Sequence, residues 1–343
     1  MKIEKKILGE LEKAYCLNFI KLENVQYAIA ASEKEGGSCI LYNPESGEQK
    51  TVWENRGGTM TICMADESSE ILAVQNFFMK FKAETAKIVC ADVLSDQPNS
   101  ERDYLTLPFV HRFGLISSVD GKAQYIVFCT VTTAKDNTDD WHRPGYVYTC
   151  EYNGPDTKPD LKEVLCLHKN HGYWHGQYNG QDVIFVSAEE GLYALYPPKS
   201  AGGEFSVVRL FAREIGDAAA VDIDADGEDE IIAIEGFHGN SITVNKFIDS
   251  KWETIYRTDA EFAHALWAGE INGVKSFLVG YRKGEAELFM LRIKDGIFEK
   301  AVIEGSIATP NIDVIPLPDK TMVLAADRSD SASERVVIYT ISE

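Results

Sequence analysis

The sequence predicts an all-β protein, a seven-bladed β-propeller of four-stranded blades that is closed by its N-terminal strand. The first observation is a set of short turns, Asn179-Gly180, Asp226-Gly227 and Asn272-Gly273, which are spaced 47 and 46 residues apart between β-rich runs. A repeat of this period made only of strands indicates a propeller, an array or a solenoid. The second observation is that no segment requires a helix of about ten residues with a 3.6-residue period. The third is that the last repeat is one strand short, whereas a spare β-like segment, Lys2–Leu8, precedes the first repeat.

The repeats divide the chain into seven blades within one domain of residues 1–343. We place the blades at approximately 11–54, 55–109, 110–168, 169–213, 214–259, 260–304 and 305–343, the last together with residues 1–10. Strands A to D follow one another in each blade, and the N-terminal segment supplies strand D of the last one. This closure ties both ends of the chain together and removes an exposed sheet edge. A pair of β-sandwiches and a propeller of six or eight blades are the alternatives.

Composition excludes several classes of function. The net charge of −20 leaves no excess of Lys and Arg to neutralise phosphates, so we expect neither nucleic acid nor an anionic membrane as a partner. The chain has no apolar run of roughly 20 residues and no signal-peptide pattern at its start. Its seven cysteines are scattered without CxxC spacing, which predicts a reduced, cytoplasmic protein. The sequence also lacks GxSxG, HExxH, a P-loop and a strand-to-helix GxGxxG.

An acidic loop at 222–230 is the sharpest local motif. Carboxylates at alternate positions followed by a glycine wrap a hard cation with oxygen ligands, and the flanking segments are strands rather than the helices of an EF-hand. The pattern resembles the calcium loop of FG-GAP (VCBS-type) propeller repeats, which joins strands A and B. The resemblance implies a structural Ca²⁺ held by the side chains of Asp222, Asp224, Asp226 and Glu230 and by the backbone carbonyl of Glu228. Glu230 stands where that family has Asp, and an acidic turn without a metal is the alternative.

The histidines cluster in the predicted topology. Five lie at or just before the start of a strand A, namely His111, His168, His171, His175 and His264, and two lie in loops between strands B and C, namely His142 and His238. Both kinds of loop belong to the same face of a propeller, so we expect all seven on or near one face. Imidazole is a good ligand for transition metals and the commonest acid or base at neutral pH. Any single histidine could instead be an ordinary hydrogen-bonded surface or core residue.

Other polar and aromatic residues map to the same face. We predict His111, His175, His238 and His264 as catalytic residues or ligands of a divalent transition metal, with Tyr281 as a proton shuttle and Arg282 as a partner for a carboxylate or enolate oxygen. The predicted substrate-binding residues are Arg56, Arg112, Trp141, His142, His171, Trp174, Glu189 and Asn311. Trp141 and His142 belong to a long insertion, 133–144, for which a lid and a disordered segment are both possible. Packing between blades is the alternative role of Trp174.

The acidic loop, the seven repeats and the His-Gly pairs at 171–172, 175–176 and 238–239 together resemble the propeller part of aldos-2-ulose dehydratases, without their additional β-domains. The resemblance implies a metal-dependent lyase or isomerase that acts on a small carbohydrate or polyol, with the metal as a Lewis acid. A small-molecule ligand such as a sugar is then the expected partner. The alternative is a non-catalytic propeller that binds a ligand or a protein with the same face.

Overall fold

The computed structural model describes residues 1–64, 69–78 and 82–342, and these residues form 28 strands and no helix. The strands make seven sheets of four strands each, which is the arrangement of a seven-bladed β-propeller and confirms the predicted fold class. The chain divides into two compact units. The N-terminal unit contains Glu10–His171 and Tyr196–Val207, and the C-terminal unit contains Met1–Gly9, Gly172–Leu195 and Val208–Glu343.

The sheets are numbered in chain order, and the chain begins with β1 (Lys2–Glu10), which belongs to sheet 7. Sheet 1 contains β2 (Ala14–Leu22), β3 (Val25–Ser32), β4 (Glu35–Tyr42) and β5 (Gln49–Gly57). Sheet 2 contains β6 (Ile62–Met64), β7 (Glu70–Gln75), β8 (Lys87–Asp92) and β9 (Arg102–Thr106). Sheet 3 contains β10 (Val110–Ser117), β11 (Gln124–Thr130), β12 (Gly145–Tyr152) and β13 (Lys162–Leu167).

The remaining sheets contain the rest of the chain. Sheet 4 contains β14 (Gly172–Tyr178), β15 (Gln181–Ser187), β16 (Leu192–Tyr196) and β17 (Ser206–Phe211). Sheet 5 contains β18 (Ile215–Val221), β19 (Glu230–Glu235), β20 (Ser241–Ile248) and β21 (Lys251–Asp259). Sheet 6 contains β22 (Ala263–Ile271), β23 (Val274–Tyr281), β24 (Leu288–Lys294) and β25 (Ile297–Glu304). Sheet 7 contains β26 (Ile312–Pro316), β27 (Thr321–Asp327), β28 (Arg335–Ser342) and β1.

The second strand of each sheet is an almost continuous apolar run. In β7, for example, the four residues Ile71–Val74 are all fully buried, and the same holds for Ile231–Ala233 in β19. A strand becomes apolar on both sides when both faces of its sheet are covered. The fourth strand of sheet 5 differs, because every residue of β21 is exposed or half-buried. The second strands therefore contribute most to the core, whereas β21 faces solvent.

Turn chemistry sets the registers that the repeats require. Asn179 and Gly180 have φ angles of 47° and 71°, and Asn272 and Gly273 have 50° and 74°. Two successive residues with positive φ form a type I′ turn, whose twist matches that of the strands it joins. Each Asn-Gly pair thus closes a two-residue hairpin between the first and second strands of sheets 4 and 6.

Sheet 7 is completed by the N-terminal strand, as the sequence predicts. Its order is β1-β28-β27-β26, so the two ends of the chain are hydrogen-bonded neighbours. The ammonium of Lys5 in β1 lies 2.9 Å from a carboxylate oxygen of Asp327 and 3.4 Å from one of Glu304. The side chain of Asp327 is only 10% exposed, so β1 neutralises a carboxylate that the rest of the sheet has buried.

Candidate functional site

Two histidines come together in the C-terminal unit. His238 lies in the turn between β19 and β20, and His264 is the second residue of β22. Their imidazoles are stacked with a centroid distance of 4.9 Å and an interplanar angle of 27°. Candidate ligand nitrogens of the two side chains lie within 4.8 Å of each other. The sequence prediction that these two imidazoles converge is thus met within this unit.

The backbone around this pair fixes its geometry. The amide of Ala263 donates to the carbonyl of Gly239 at 2.9 Å, which joins the start of β22 to the turn that carries His238. A Cβ atom at Gly239 would lie 1.7 Å from the carbonyl oxygen of Glu235, so this turn requires glycine directly after the histidine. The glycine of the His238-Gly239 pair is therefore explained by the geometry of the turn, without reference to a ligand.

Two phenyl rings pack against His238. His238 stacks on Phe237 at 4.1 Å and lies 4.7 Å from the ring of Phe262. The guanidinium of Arg282 lies 5.3 Å from the centroid of the Phe262 ring. The phenyl rings cover part of the His238 imidazole, and Phe262 also contacts the Arg282 cation by a cation–π interaction. Arg282, predicted to accompany the histidines, is therefore a member of this cluster.

The N-terminal unit contains a second imidazole pair. His111 and His171 are 4% and 6% exposed, and their centroids are 4.7 Å apart at an interplanar angle of 33°. The ring of Phe77 packs edge-on against His111 at 5.1 Å, and the Tyr15 hydroxyl lies 3.4 Å from Nε2 of His111. This pair is the counterpart, inside its own unit, of His238 and His264.

Two of the buried histidines lie at irregularities in the pairing of the first and second strands of their sheets. In β10, Val110 pairs with Thr130 and Arg112 with Cys129, so His111 is the extra residue of a β-bulge. His264 has the same place in β22, between Ala263 and Ala265. Bulges redirect side chains and are frequent beside functional sites. A residue in the left-handed region precedes each of the buried histidines by two positions: Phe109 precedes His111, Lys169 precedes His171 and Phe262 precedes His264.

His175 is not part of either pair. It is the fourth residue of β14 rather than the second, and its side chain is exposed. Its Nε2 lies 3.0 Å from a carboxylate oxygen of Asp182 on the adjacent strand. Among the described residues, no group of three candidate metal ligands includes it. We predicted His175 as a site residue because it lies near the start of a strand A. Three residues of β14 precede it, so it lies further along its strand than His264 does in β22.

Tyr281 has a partner inside its own sheet. Its hydroxyl donates to Glu287 at 2.8 Å, and Lys300 contacts the same carboxylate oxygen at 2.5 Å. Burial, followed by the hydrogen bond to Glu287, raises the pKa of Tyr281 well above its usual range. The phenol is therefore neutral at physiological pH, and it acts as a hydrogen-bond donor between β23 and the segment before β24.

Several predicted substrate-binding residues also contact their own chain. Arg56 forms an ion pair with Glu101, and Arg112 donates to the Met60 carbonyl at 3.0 Å. Asn311 accepts a hydrogen bond at its carbonyl, whereas Glu189 is exposed in the bend after β15.

The insertion 133–144 closes on itself. Arg143 forms ion pairs with Asp136 and Asp140, and His142 contacts Asp140. The ammonium of Lys135 lies 3.1 Å from the centroid of the Trp141 ring. The Trp141 ring thus forms a cation–π contact with Lys135 of the same loop. The role of the insertion as a lid stays a prediction.

Trp174 packs between sheets. Its ring lies 4.9 Å from that of Phe185 and joins the core formed by sheets 5 and 6. A Cβ atom at Gly176 would lie 2.3 Å from the Trp174 ring, so the indole covers the glycine two residues further along the strand. Trp267 covers Gly269 in the same way, at 2.6 Å. These observations favour the packing role that the sequence left open.

The acidic loop contains a cation that the sequence did not reveal. Oxygens of Asp222, Asp224 and Glu230 lie within 4.8 Å of one another. The ammonium of Lys246, from β20, lies 2.5 Å from Asp224 and 2.7 Å from Glu230. The convergence of these carboxylates was predicted, whereas Lys246 was missed because it belongs to another strand. The Ca²⁺ prediction itself stays a prediction.

Comparisons with known proteins identify the fold and no family. No protein-family model matches the chain, and no curated protein matches it. Among solved structures, the crystal structure of the Cps50 (Swd1) β-propeller domain from Myceliophteria thermophila is similar, with a TM-score of 0.61, 7% identity, and coverage of 99% of this chain and 100% of that one. A chain of the mitotic checkpoint complex is similar with a TM-score of 0.59 and 8% identity over 99% and 93% of the two chains. In the part of the chain that the structure describes, there is no helix with the length and apolarity needed to cross a membrane.

Proposed function

We propose that the protein binds a divalent transition metal through buried imidazoles and acts as a lyase or isomerase on a small carbohydrate or polyol. The observation that carries the proposal is the stacked pair of His238 and His264, which the fold brings together from positions 26 residues apart in the chain. The substrate class comes from the resemblance to FG-GAP-like propellers and to aldos-2-ulose dehydratases.

The geometry of the pair fits a metal. Two imidazoles bound to one Zn²⁺ at about 2.0–2.1 Å place their nitrogens roughly 3–4 Å apart. The nitrogens of His238 and His264 lie within 4.8 Å, so a small side-chain rotation closes the difference. His264 is 3% exposed and is held in a bulge, which limits the freedom that it would lose on binding. When bound, the metal would supply Lewis-acid polarisation of a carbonyl or hydroxyl oxygen.

The chain itself contributes charge and exclusion of water. Arg282 is always protonated, and beside Phe262 it offers a fixed positive charge to a carboxylate or enolate oxygen. Phe237 and Phe262 lower the local dielectric around the imidazoles, which strengthens such an interaction. Tyr281 is neutral and donates to Glu287, so a proton shuttle through it requires that hydrogen bond to break first.

Elemental analysis of the purified protein tests the proposal. We expect a transition metal at about one equivalent for each imidazole pair that binds it. His264→Ala should reduce the metal bound by the C-terminal unit to a trace because it removes one ligand of the pair. His175→Ala is the matched control, since it removes an exposed imidazole of the same unit that pairs with Asp182. A wild-type protein without transition metal, or equal metal content in both variants, would contradict the proposal.

A non-catalytic binding propeller is the second candidate. The observation in its favour is that three of the predicted site residues already have partners in the chain: Arg56 pairs with Glu101, Tyr281 with Glu287 and His175 with Asp182. One of the similar structures is part of a mitotic checkpoint complex, which is an assembly of proteins. Absence of metal together with unchanged folding of the His264→Ala variant would favour this function.

A further inference from the structure

The acidic loop between β18 and β19 has a cation supplied by the chain. We propose that the ammonium of Lys246 takes the position that Ca²⁺ occupies in the loops that this motif resembles, and that Ca²⁺ enters only by displacing it. Lys246 lies 2.5 Å from Asp224, 2.7 Å from Asp226 and 2.7 Å from Glu230. An ammonium group has three donors, and each one has a carboxylate acceptor here.

Strand register brings the lysine to this position. Asn245 in β20 pairs with Ile231 in β19, so the next residue, Lys246, lies opposite Glu230 at the end of the sheet where the loop begins. Directly opposite residues of an antiparallel pair have neighbouring side chains. Lys246 therefore reaches the loop through ordinary cross-strand pairing, and its side chain is 17% exposed.

The loop backbone already uses much of the acceptor capacity of the carboxylates. Asp222 accepts hydrogen bonds from the amides of Asp226 and Gly227, both at 3.0 Å. One oxygen of Glu230 accepts from the amide of Ile223 at 3.0 Å, while the other contacts Lys246. Ca²⁺ takes six to eight oxygen ligands, so it would compete with both the lysine and the backbone amides of the loop.

Electrostatics favour the charged lysine. The ammonium of Lys246 contacts three carboxylates, those of Asp224, Asp226 and Glu230, in a site where its own side chain is only 17% exposed. Glu230 is fully buried, and an uncompensated carboxylate at such a position is strongly unfavourable. The lysine thus provides the compensation that a metal would otherwise provide.

Calcium titration by calorimetry tests the competition. Lys246→Met should raise the affinity for Ca²⁺ on the order of 100-fold over wild type, because it removes the ammonium charge that repels Ca²⁺ and contacts the same carboxylates. Lys275→Met is the matched control, since Lys275 is an exposed strand residue whose nearest carboxylate, that of Glu270, is 3.9 Å away. The double variant Lys246→Met, Asp224→Asn should lose the gain. Equal Ca²⁺ affinity of wild type and Lys246→Met would overturn the proposal.

Thermal melting of the wild type provides an independent test that needs no variant to fold. We expect the same melting temperature in Ca²⁺ and in a chelator, because the lysine already neutralises the loop. A melting temperature that falls on chelation and recovers with Ca²⁺ would refute the proposal. Lys246→Met should instead melt lower without Ca²⁺ and recover when Ca²⁺ is added. A Lys246→Met protein that melts lower and does not respond to Ca²⁺ would also refute it.

Discussion

The ion pair that attaches β1 to sheet 7 allows a quantitative test of closure. Lys5→Met removes the ammonium 2.9 Å from Asp327 while it keeps an apolar stem in the strand. A hydrogen bond to a charged group contributes roughly 1.5–3 kcal/mol to stability. Lys5 is 32% exposed, and solvent screening reduces this contribution, so we expect a loss of about 1–2 kcal/mol. The melting temperature should fall by about 2–4 °C.

The pH dependence of this loss identifies its cause. Burial raises the pKa of Asp327, but hydrogen bonds from Ser329 and Lys5 outweigh it and lower the pKa below its ordinary value of 3.8. A group whose pKa is lower in the folded state stabilises the fold above its ordinary pKa and loses that effect as the pH falls through the folded value. The difference between wild type and Lys5→Met should thus be complete at neutral pH and shrink below 3.8.

Lys2→Met is the control for this experiment. Lys2 lies in the same strand, but its side chain and that of its partner Glu4 are 68% and 61% exposed, so its removal should leave the melting temperature unchanged. Melting curves of wild type and both variants, recorded between neutral and acidic pH, measure the effect. If Lys5→Met melts like Lys2→Met at neutral pH, the ion pair does not secure the N-terminal strand and the reasoning fails.

Two further variants probe packing and polar contacts inside the C-terminal unit. Gly176→Ala places a Cβ atom 2.3 Å from the ring of Trp174 and should destabilise the fold by about 1–3 kcal/mol in chemical denaturation, whereas Gly305→Ala, which meets nothing within 4 Å, should have no such effect. Equal stabilities would show that the indole is free to move away. Tyr281→Phe removes the donor to Glu287 and should cost about 1 kcal/mol; a neutral result would mean that Lys300 alone satisfies this carboxylate.

The fold follows from features that are local in the sequence. Asn-Gly turns need only two residues to define a hairpin, and apolar runs such as Ile71–Val74 identify buried strands without knowledge of their partners. Closure was also predictable, because it needs only a count of strands in the last repeat and at the N-terminus.

The site depends on features that are not local. Nothing in the composition around His111 or His264 shows that each is the extra residue of a bulge, since that property belongs to the pairing of two strands. The shared spacing Phe-x-His at 109–111 and 262–264 was the available signal. Lys246 lies in an ordinary strand 16 residues from Glu230, so only the register connects them. The sequence analysis grouped His175 with the other histidines because the exact start of a strand cannot be read from the sequence. In the structure His175 is the fourth residue of β14, whereas His264 is the second residue of β22.

The bulge at the second residue of the first strand has a wider consequence. It occurs in four sheets with three different side chains: Tyr15 in β2, His111 in β10, Gly216 in β18 and His264 in β22. The extra residue takes no part in the regular ladder, so its identity is independent of the bonds that hold the strands together. The same irregularity thus presents a phenol ring in β2 and an imidazole in β10 and β22 without a change in the strands that carry them. In β18 the position requires glycine, because a Cβ atom there would lie 2.4 Å from the carbonyl oxygen of Gly236.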